Sequence, residues 1–172
     1  PEKGYSAGCR YGFRTCTSDV LVFYFPTGSV PVEDTLKFRK YFNNGADLVI
    51  ASRNIKGARN EEDVNFFQPR KWFVLGLSLL TALLWRRKGP IIWDVLHGVR
   101  GMTVEAFKCI DPRDTGVSID LEMVARAYKL GLTIEQFPTS EAGRLEGATH
   151  FPALKTGSRL LGYLWREVWR GC

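Results

Sequence analysis

The sequence predicts an α/β fold: a three-layer domain with helices on both faces of a mostly parallel central sheet. Three observations predict it. Val20–Phe25 is a continuous apolar run of strand length, as expected of a parallel strand covered on both faces, and Asp47–Arg53 reads as the next strand. A helical pattern from Pro31 to about Phe42 joins them by short links, which makes a βαβ unit with a right-handed crossover. The chain of 172 residues, 45% apolar and 13% aromatic, fits one domain (1–172) with a full hydrophobic core and excludes a disordered chain.

The elements follow in order. Ser6–Cys16 reads as a helix and Val20–Phe25 as the first strand. Pro31 near the start and Glu33-Asp34 in the first turn open the next helix, and Asn43-Asn44-Gly45 closes it. Asn54–Phe67, polar and charged with Gly57 and Asn60, reads as a loop beside a strand end, where function often sits. Pro69 starts a long helix that runs to about Lys88, with basic residues suiting its C-terminal end. Its apolar stretch Trp72–Trp85 is too short to span a bilayer, which needs roughly 20 residues, so it covers the core or lies at an interface. Val99–Met102 is a short strand and Val104–Cys109 a short helix; Ile119–Leu130 is a helix stopped by Gly131. Thr133–Phe137 is a strand ended by Pro138, and a polar loop runs through Gly147. Lys155–Arg170 is the final helix, amphipathic over 156–171. Leu161, Leu164, Trp165, Val168 and Trp169 fall on one face of it and Arg159, Arg166 and Arg170 on the other, which suits a helix lying among lipid headgroups.

A net charge of +6 and a pI near 9.3 point to anionic partners: phosphates, nucleic acid or an acidic membrane surface. Nucleic acid is set aside, because the basic residues are scattered and no helix-turn-helix, zinc-finger or RNP pattern is present. Cys9, Cys16, Cys109 and Cys172 form no CxxC pair and have only two histidines to join them, so a reduced, cytoplasmic-facing protein is expected rather than a disulfide scaffold or a zinc site. The first residues are not a basic-then-apolar leader, and they run straight into a helix. A start inside a larger gene product is therefore expected.

Several short motifs, in order, carry a resemblance. Lys3-Gly4-Tyr5 with Gly12-Phe13, then Gly28, Pro31 and Glu33, then the strand Ala46-Asp47-Leu-Val-Ile-Ala-Ser-Arg53 are followed by Asp94 with Gly98-Val-Arg100. Ile119-Asp120-Leu-Glu122-Met, Gln136-Phe-Pro138, Arg144-Leu-Glu-Gly147 and Thr149-His150 complete the series. Together they resemble the second part of a family 2 glycosyltransferase of the GT-A fold, in the dolichol- or polyprenyl-phosphate sugar transferase branch. The family's N-terminal nucleotide-binding part has no counterpart in this sequence.

The resemblance implies transfer of a sugar from a nucleotide sugar to a polyprenyl-phosphate or glycan acceptor at the cytosolic membrane face, by a protein peripheral to that membrane. In the family, two aspartates one residue apart hold Mg2+ or Mn2+. Phe25 and Thr27 stand in those positions, so the oxygen ligands a hard cation needs are missing and no metal or other cofactor is expected there. The phosphate charge then falls to Arg53, Arg70 and Arg144, with His150 as a further phosphate contact. Val74 stands one turn beyond Arg70, where the branch often carries a hydroxyl. Asp94 is implied to lie near the sugar or the catalytic loop. Asp120 and Glu122 are the candidate bases; Asp120 also fits a first-turn helix acid, and Glu122 can pair with Arg126 at i,i+4. Asp94 and Glu122 are the expected catalytic pair. The alternative is a catalytically inactive homologue that binds a lipid, a glycan or a partner enzyme.

Overall fold

The computed structural model describes residues 4–25, 29–64, 68–142 and 153–170. Helix α1 (Tyr5–Thr15) leads to β1 (Val20–Phe23), α2 (Asp34–Asn43), β2 (Leu48–Ser52) and a short 3-10 turn at Glu61–Val64. Helix α3 (Pro69–Trp85), β3 (Arg100–Thr103), α4 (Val104–Ile110), α5 (Ser118–Leu130), β4 (Ile134–Pro138) and α6 (Ala153–Trp169) follow. The class is mixed α/β, as the sequence predicts.

One four-stranded open sheet has the order β1-β3-β2-β4. Strands β2 and β4 pair in parallel, with Ile50 opposite Gln136, while β3 is antiparallel to both β1 and β2. Thus β1, β2 and β4 point one way and β3 runs back between them. Strands β1 and β2 share a direction, as the βαβ expectation has it, but the sheet is not wholly parallel, because the antiparallel β3 lies between them. The cause is local. Residues 86–99 carry the chain from α3 to the C-terminal end of β2, so a strand starting at Arg100 has to run back across the sheet before α4 begins at Val104. Gly101 on β3 faces the ring of Phe42, and a Cβ there would come within 2.8 Å of it.

Strand β2 is buried along its whole length, whereas β1, expected to be covered on both faces, is only half-buried because it forms an edge of the described sheet. Alternate residues of β2 divide the core. Leu48 and Ile50 join Phe13, Met102, Phe107 and the inner face of α5; Val49 and Ala51 join Phe38 of α2 and Phe137. Helix α2 therefore covers one face, and α1 and α3–α6 gather on the other. Gly131 stops α5 in the left-handed conformation at φ 67°, where an L side chain would be strained.

Helix α3 departs from expectation. Instead of covering the sheet, α3 packs against α5 and α6 through a narrow seam of Leu77, Ser78, Thr81 and Ala82. Trp72, Leu79, Leu80, Leu83 and Leu84 face outward. Helix α6 buries Leu160, Tyr163, Leu164 and Glu167 and exposes Leu161, Trp165, Val168 and Trp169. Cys9, Cys16 and Cys109 are free thiols, and burial pushes the Cys9 thiol up to about 12.

Candidate functional site

Because β3 runs against the others, its N-terminal end meets the C-terminal ends of β1, β2 and β4 at one edge of the sheet, the edge where open α/β sheets bind ligands. Arg53 follows β2, Glu141 follows β4, Phe25 follows β1, and Arg100 opens β3. Residues 90–98 lie across this edge without regular secondary structure, yet they are pinned throughout. Gln136 donates to the Ile91 carbonyl at 2.7 Å and accepts from the Trp93 N–H at 3.2 Å, the Tyr128 hydroxyl accepts from Ile92, and Asn54 donates to the Trp93 carbonyl. This frame delivers Asp94 and His97 into the protein interior, both buried.

Arg53 and Asp94, 41 residues apart in sequence, meet in a two-point ion pair. Arg53 Nε donates to Asp94 Oδ2 at 2.7 Å and Nη2 to Oδ1 at 2.9 Å, while the Arg53 backbone N–H adds a third bond at 3.0 Å. The remaining arm, Nη1, donates to Glu141 Oε2 at 2.7 Å. Burial alone would raise the Asp94 pKa, but Arg53 holds the carboxyl below the usual carboxylate value. Three of the five guanidinium N–H groups are thus engaged, and two lie outside these bonds. His97 is pushed down to about 4 by burial and by the nearby Arg53 charge, so it is neutral at pH 7 and its Nδ1–H donates to the Ala51 carbonyl.

A second pair lies deeper. Arg100 is 1% exposed and donates to the carbonyls of Val95, His97 and Asp120, with Nε 3.4 Å from Asp120 Oδ1. The Tyr5 hydroxyl donates to the same Asp120 oxygen at 2.6 Å. Burial raises the Asp120 pKa from the ordinary 3.8 to about 6, against the opposing pull of Arg100 and Tyr5, with Asp94 adding to the rise. A carboxyl that changes charge near neutrality, behind a tyrosine at the rim of a cleft, is suited to taking or giving a proton.

That shift sets a sign for stability. The folded state holds the Asp120 proton more tightly than the unfolded state between 3.8 and about 6, so the Asp120 contribution grows as pH falls through about 6 and is lost as pH rises. Lowering the pH from about 7 to about 5 should stabilise the wild type relative to Asp120→Asn by about 1 kcal/mol, read as the difference between two urea titrations. An unchanged difference would mean that Asp120 ionises at its ordinary value. Asp94 is common to both proteins.

The other expected site residues lie elsewhere. Glu122, two positions beyond Asp120 and therefore on another side of α5, does not join this cluster. Its Oε2 accepts the backbone N–H groups of Arg113 and Asp114 at 2.9 and 2.7 Å, and Oε1 meets Arg126 at 3.1 Å, the expected i,i+4 partner. Its visible work is to hold the segment between α4 and α5. Arg70 is exposed in the first turn of α3. Thr27, Arg144 and His150 lie outside the described residues.

At the degenerate metal-motif position, the Phe25 ring packs on Tyr5 at 5.4 Å between centroids and over the backbone of Gly98. A ring carbon is no ligand for a hard cation, and the oxygens of Asp94 and Asp120 are held by arginine and tyrosine. The described residues do not fit a divalent ion here. Sequence reasoning gave no role to Arg100, Glu141 or Tyr5. Tyr5 and Arg100 stand in the motifs that carry the resemblance and Asp120 among the candidate bases, but nothing in the sequence says that the three meet. No known family model matches the chain, and no curated protein matches it significantly.

Proposed function

We propose that the protein is a glycosyltransferase that moves a sugar from a nucleotide sugar to a polyprenyl-phosphate or glycan acceptor at the cytosolic membrane face. The observation that carries this reading is the double pair Arg53–Asp94 and Arg100–Asp120, gathered at the ligand-binding edge of the sheet with one carboxyl poised near pH 6. In such a transfer the acceptor oxygen bonds to the anomeric carbon while the bond to the leaving diphosphate breaks. A hydroxyl acceptor gives up its proton, and Asp120 is the group suited to receive it, through Tyr5 or after Tyr5 swings aside. A phosphate acceptor is already an anion and needs only alignment. The leaving diphosphate needs positive charge, for which Arg53 and Arg144 are the candidates; no step is assigned to a metal.

Membrane contact is the second part of the proposal. No helix among the described residues is long and apolar enough to cross a membrane. Instead, α3 and α6 touch one another, and both turn tryptophan and leucine outward. Trp165 and Trp169, 66% and 73% exposed, are unlike the scattered apolar residues of an ordinary surface, and they sit beside Arg166 and Arg170 as an interfacial helix requires. Replacing both with glutamate should cut co-sedimentation with anionic vesicles by roughly tenfold or more while leaving the melting temperature nearly unchanged. Equal sedimentation of variant and wild type would remove α6 from the membrane contact.

A second reading has its own support: an inactive homologue that binds a lipid, a glycan or a partner. Phe25 fills the position where the family carries an acid, and Asp94 and Glu141 already engage much of Arg53. Incubation with a panel of nucleotide sugars, with and without Mg2+ or Mn2+, separates the two. Metal-independent turnover lost in Arg144→Ala supports transfer. Absence of turnover and of nucleotide binding under every condition supports the inactive homologue.

A further inference from the structure

Helix α1, the segment joining α4 to α5, and α6 enclose an open cleft of about 880 Å3 on the side of the sheet opposite α2. Among the described residues its wall carries Arg10, Arg14, Arg113 and Arg159 against one carboxylate, Asp111. That carboxylate is already held by Arg113, Nη2 to Oδ2 at 2.6 Å. A concave surface lined by one sign of charge concentrates counter-ions. The 11-residue helix α1 adds to the field, because its N-terminal residues Gly4, Tyr5 and Ser6 line the same cleft. Gly4 is the N-cap and brings no side chain to satisfy the first N–H groups.

The wall is also built to stay in place. Arg10 donates to the Asp114 carbonyl at 2.9 Å, Arg166 to the Asp114 carboxylate at 2.8 Å, and Arg159 to the Thr115 hydroxyl at 2.7 Å. Glu122 holds the Arg113 and Asp114 N–H groups from beneath, and Ser6 Oγ accepts from the Gly116 N–H. Cationic side chains from α1, α6 and the connecting segment are thus pre-positioned around one space before any ligand arrives, which lowers the cost of binding an anion.

We propose that this cleft binds a phosphate monoester or diphosphate group. Arginine forks and uncapped helix N–H groups both match phosphate oxygens. The proposal stands apart from the sugar-transfer reading, because none of the four arginines belongs to the Arg53–Asp94 or Arg100–Asp120 pairs. Tyr5 joins the two regions: it lines the cleft while its hydroxyl bonds to Asp120.

Two probes separate the sources of such a phosphate: inorganic pyrophosphate, followed by calorimetry, and phosphatidylcholine vesicles carrying farnesyl phosphate, compared with plain phosphatidylcholine. The variant is Arg14→Gln with Arg113→Gln, both on the surface, and a melting curve checks that it folds. Arg39→Gln with Lys40→Gln on α2, across the sheet, is the control for net charge. Pyrophosphate should bind the wild type and the α2 control alike and the cleft variant about tenfold more weakly or worse. The same pattern with farnesyl phosphate vesicles alone would identify the phosphate as a lipid headgroup. Binding of neither probe, or equal binding by the cleft variant and the wild type, would overturn the proposal.

Discussion

Arg100→Met is expected to lower the unfolding free energy by about 3–5 kcal/mol, the usual cost of breaking a buried ion pair from one side. The guanidinium is 1% exposed, and its removal strands the carbonyls of Val95, His97 and Asp120 together with the Asp120 carboxylate. Methionine fills much of the volume, so the loss measures the polar partners rather than a cavity. The effect also has a pH signature. Without Arg100, the Asp120 carboxyl loses a charge that favours ionisation, so its pKa climbs further and the proton relieves the burial. The destabilisation read from denaturant titrations should therefore shrink as pH falls toward about 6, where only the variant has already taken up the Asp120 proton, and level off below that. A loss that does not vary with pH would mean that Asp120 does not depend on Arg100 for its charge.

Asp94→Ala is expected to cost about 3 kcal/mol. It removes three of the bonds that hold Arg53 and leaves Glu141 as the single carboxylate on that guanidinium among the described residues. Arg53 retains some access to solvent, with 17% of its side chain exposed, so the cost falls toward the lower end of the range for buried pairs. Asp94→Asn should recover only part of the loss, because an amide offers one acceptor to a fork that uses two. Equal stability of Asp94→Ala and the wild type, by denaturant titration, would show that Glu141 alone holds Arg53.

Much of the fold was legible because it rests on local pattern. The apolar run Leu48–Ser52 and the glycine stop at Gly131 both follow from short-range physics, and both are found. The direction of β3 was not legible. Arg100-Gly-Met-Thr103 is only four residues long and does not say which way it crosses the sheet; that follows from where residues 86–99 leave the chain. Helix α3 misled for a related reason: an apolar stretch reads the same whether it faces a core or the outside, and only its seam on α5 and α6 decides.

The site divides in the same way. Arg53 and Asp94 were named from the sequence, and the fold brings them together. Glu122 and Asp120 are two residues apart and look equivalent in sequence, yet a helix sends their side chains to different surroundings. Asp120 meets Tyr5 and Arg100, whereas Glu122 meets the backbone before α5. Tyr5 lies 115 residues from its partner, a contact that no spacing rule reaches.

The central claim is that this edge of the sheet transfers a sugar with Asp120 as its proton acceptor and without a metal. The most direct test is acceptor-dependent release of nucleoside diphosphate from nucleotide sugars in the presence of EDTA, followed from about pH 5 to about pH 8 for the wild type and Asp120→Asn. The account predicts release with a hydroxyl acceptor that rises through about pH 6 in the wild type and falls by on the order of 100-fold or more in Asp120→Asn. No release at any pH, or release that Asp120→Asn leaves unchanged, would contradict it.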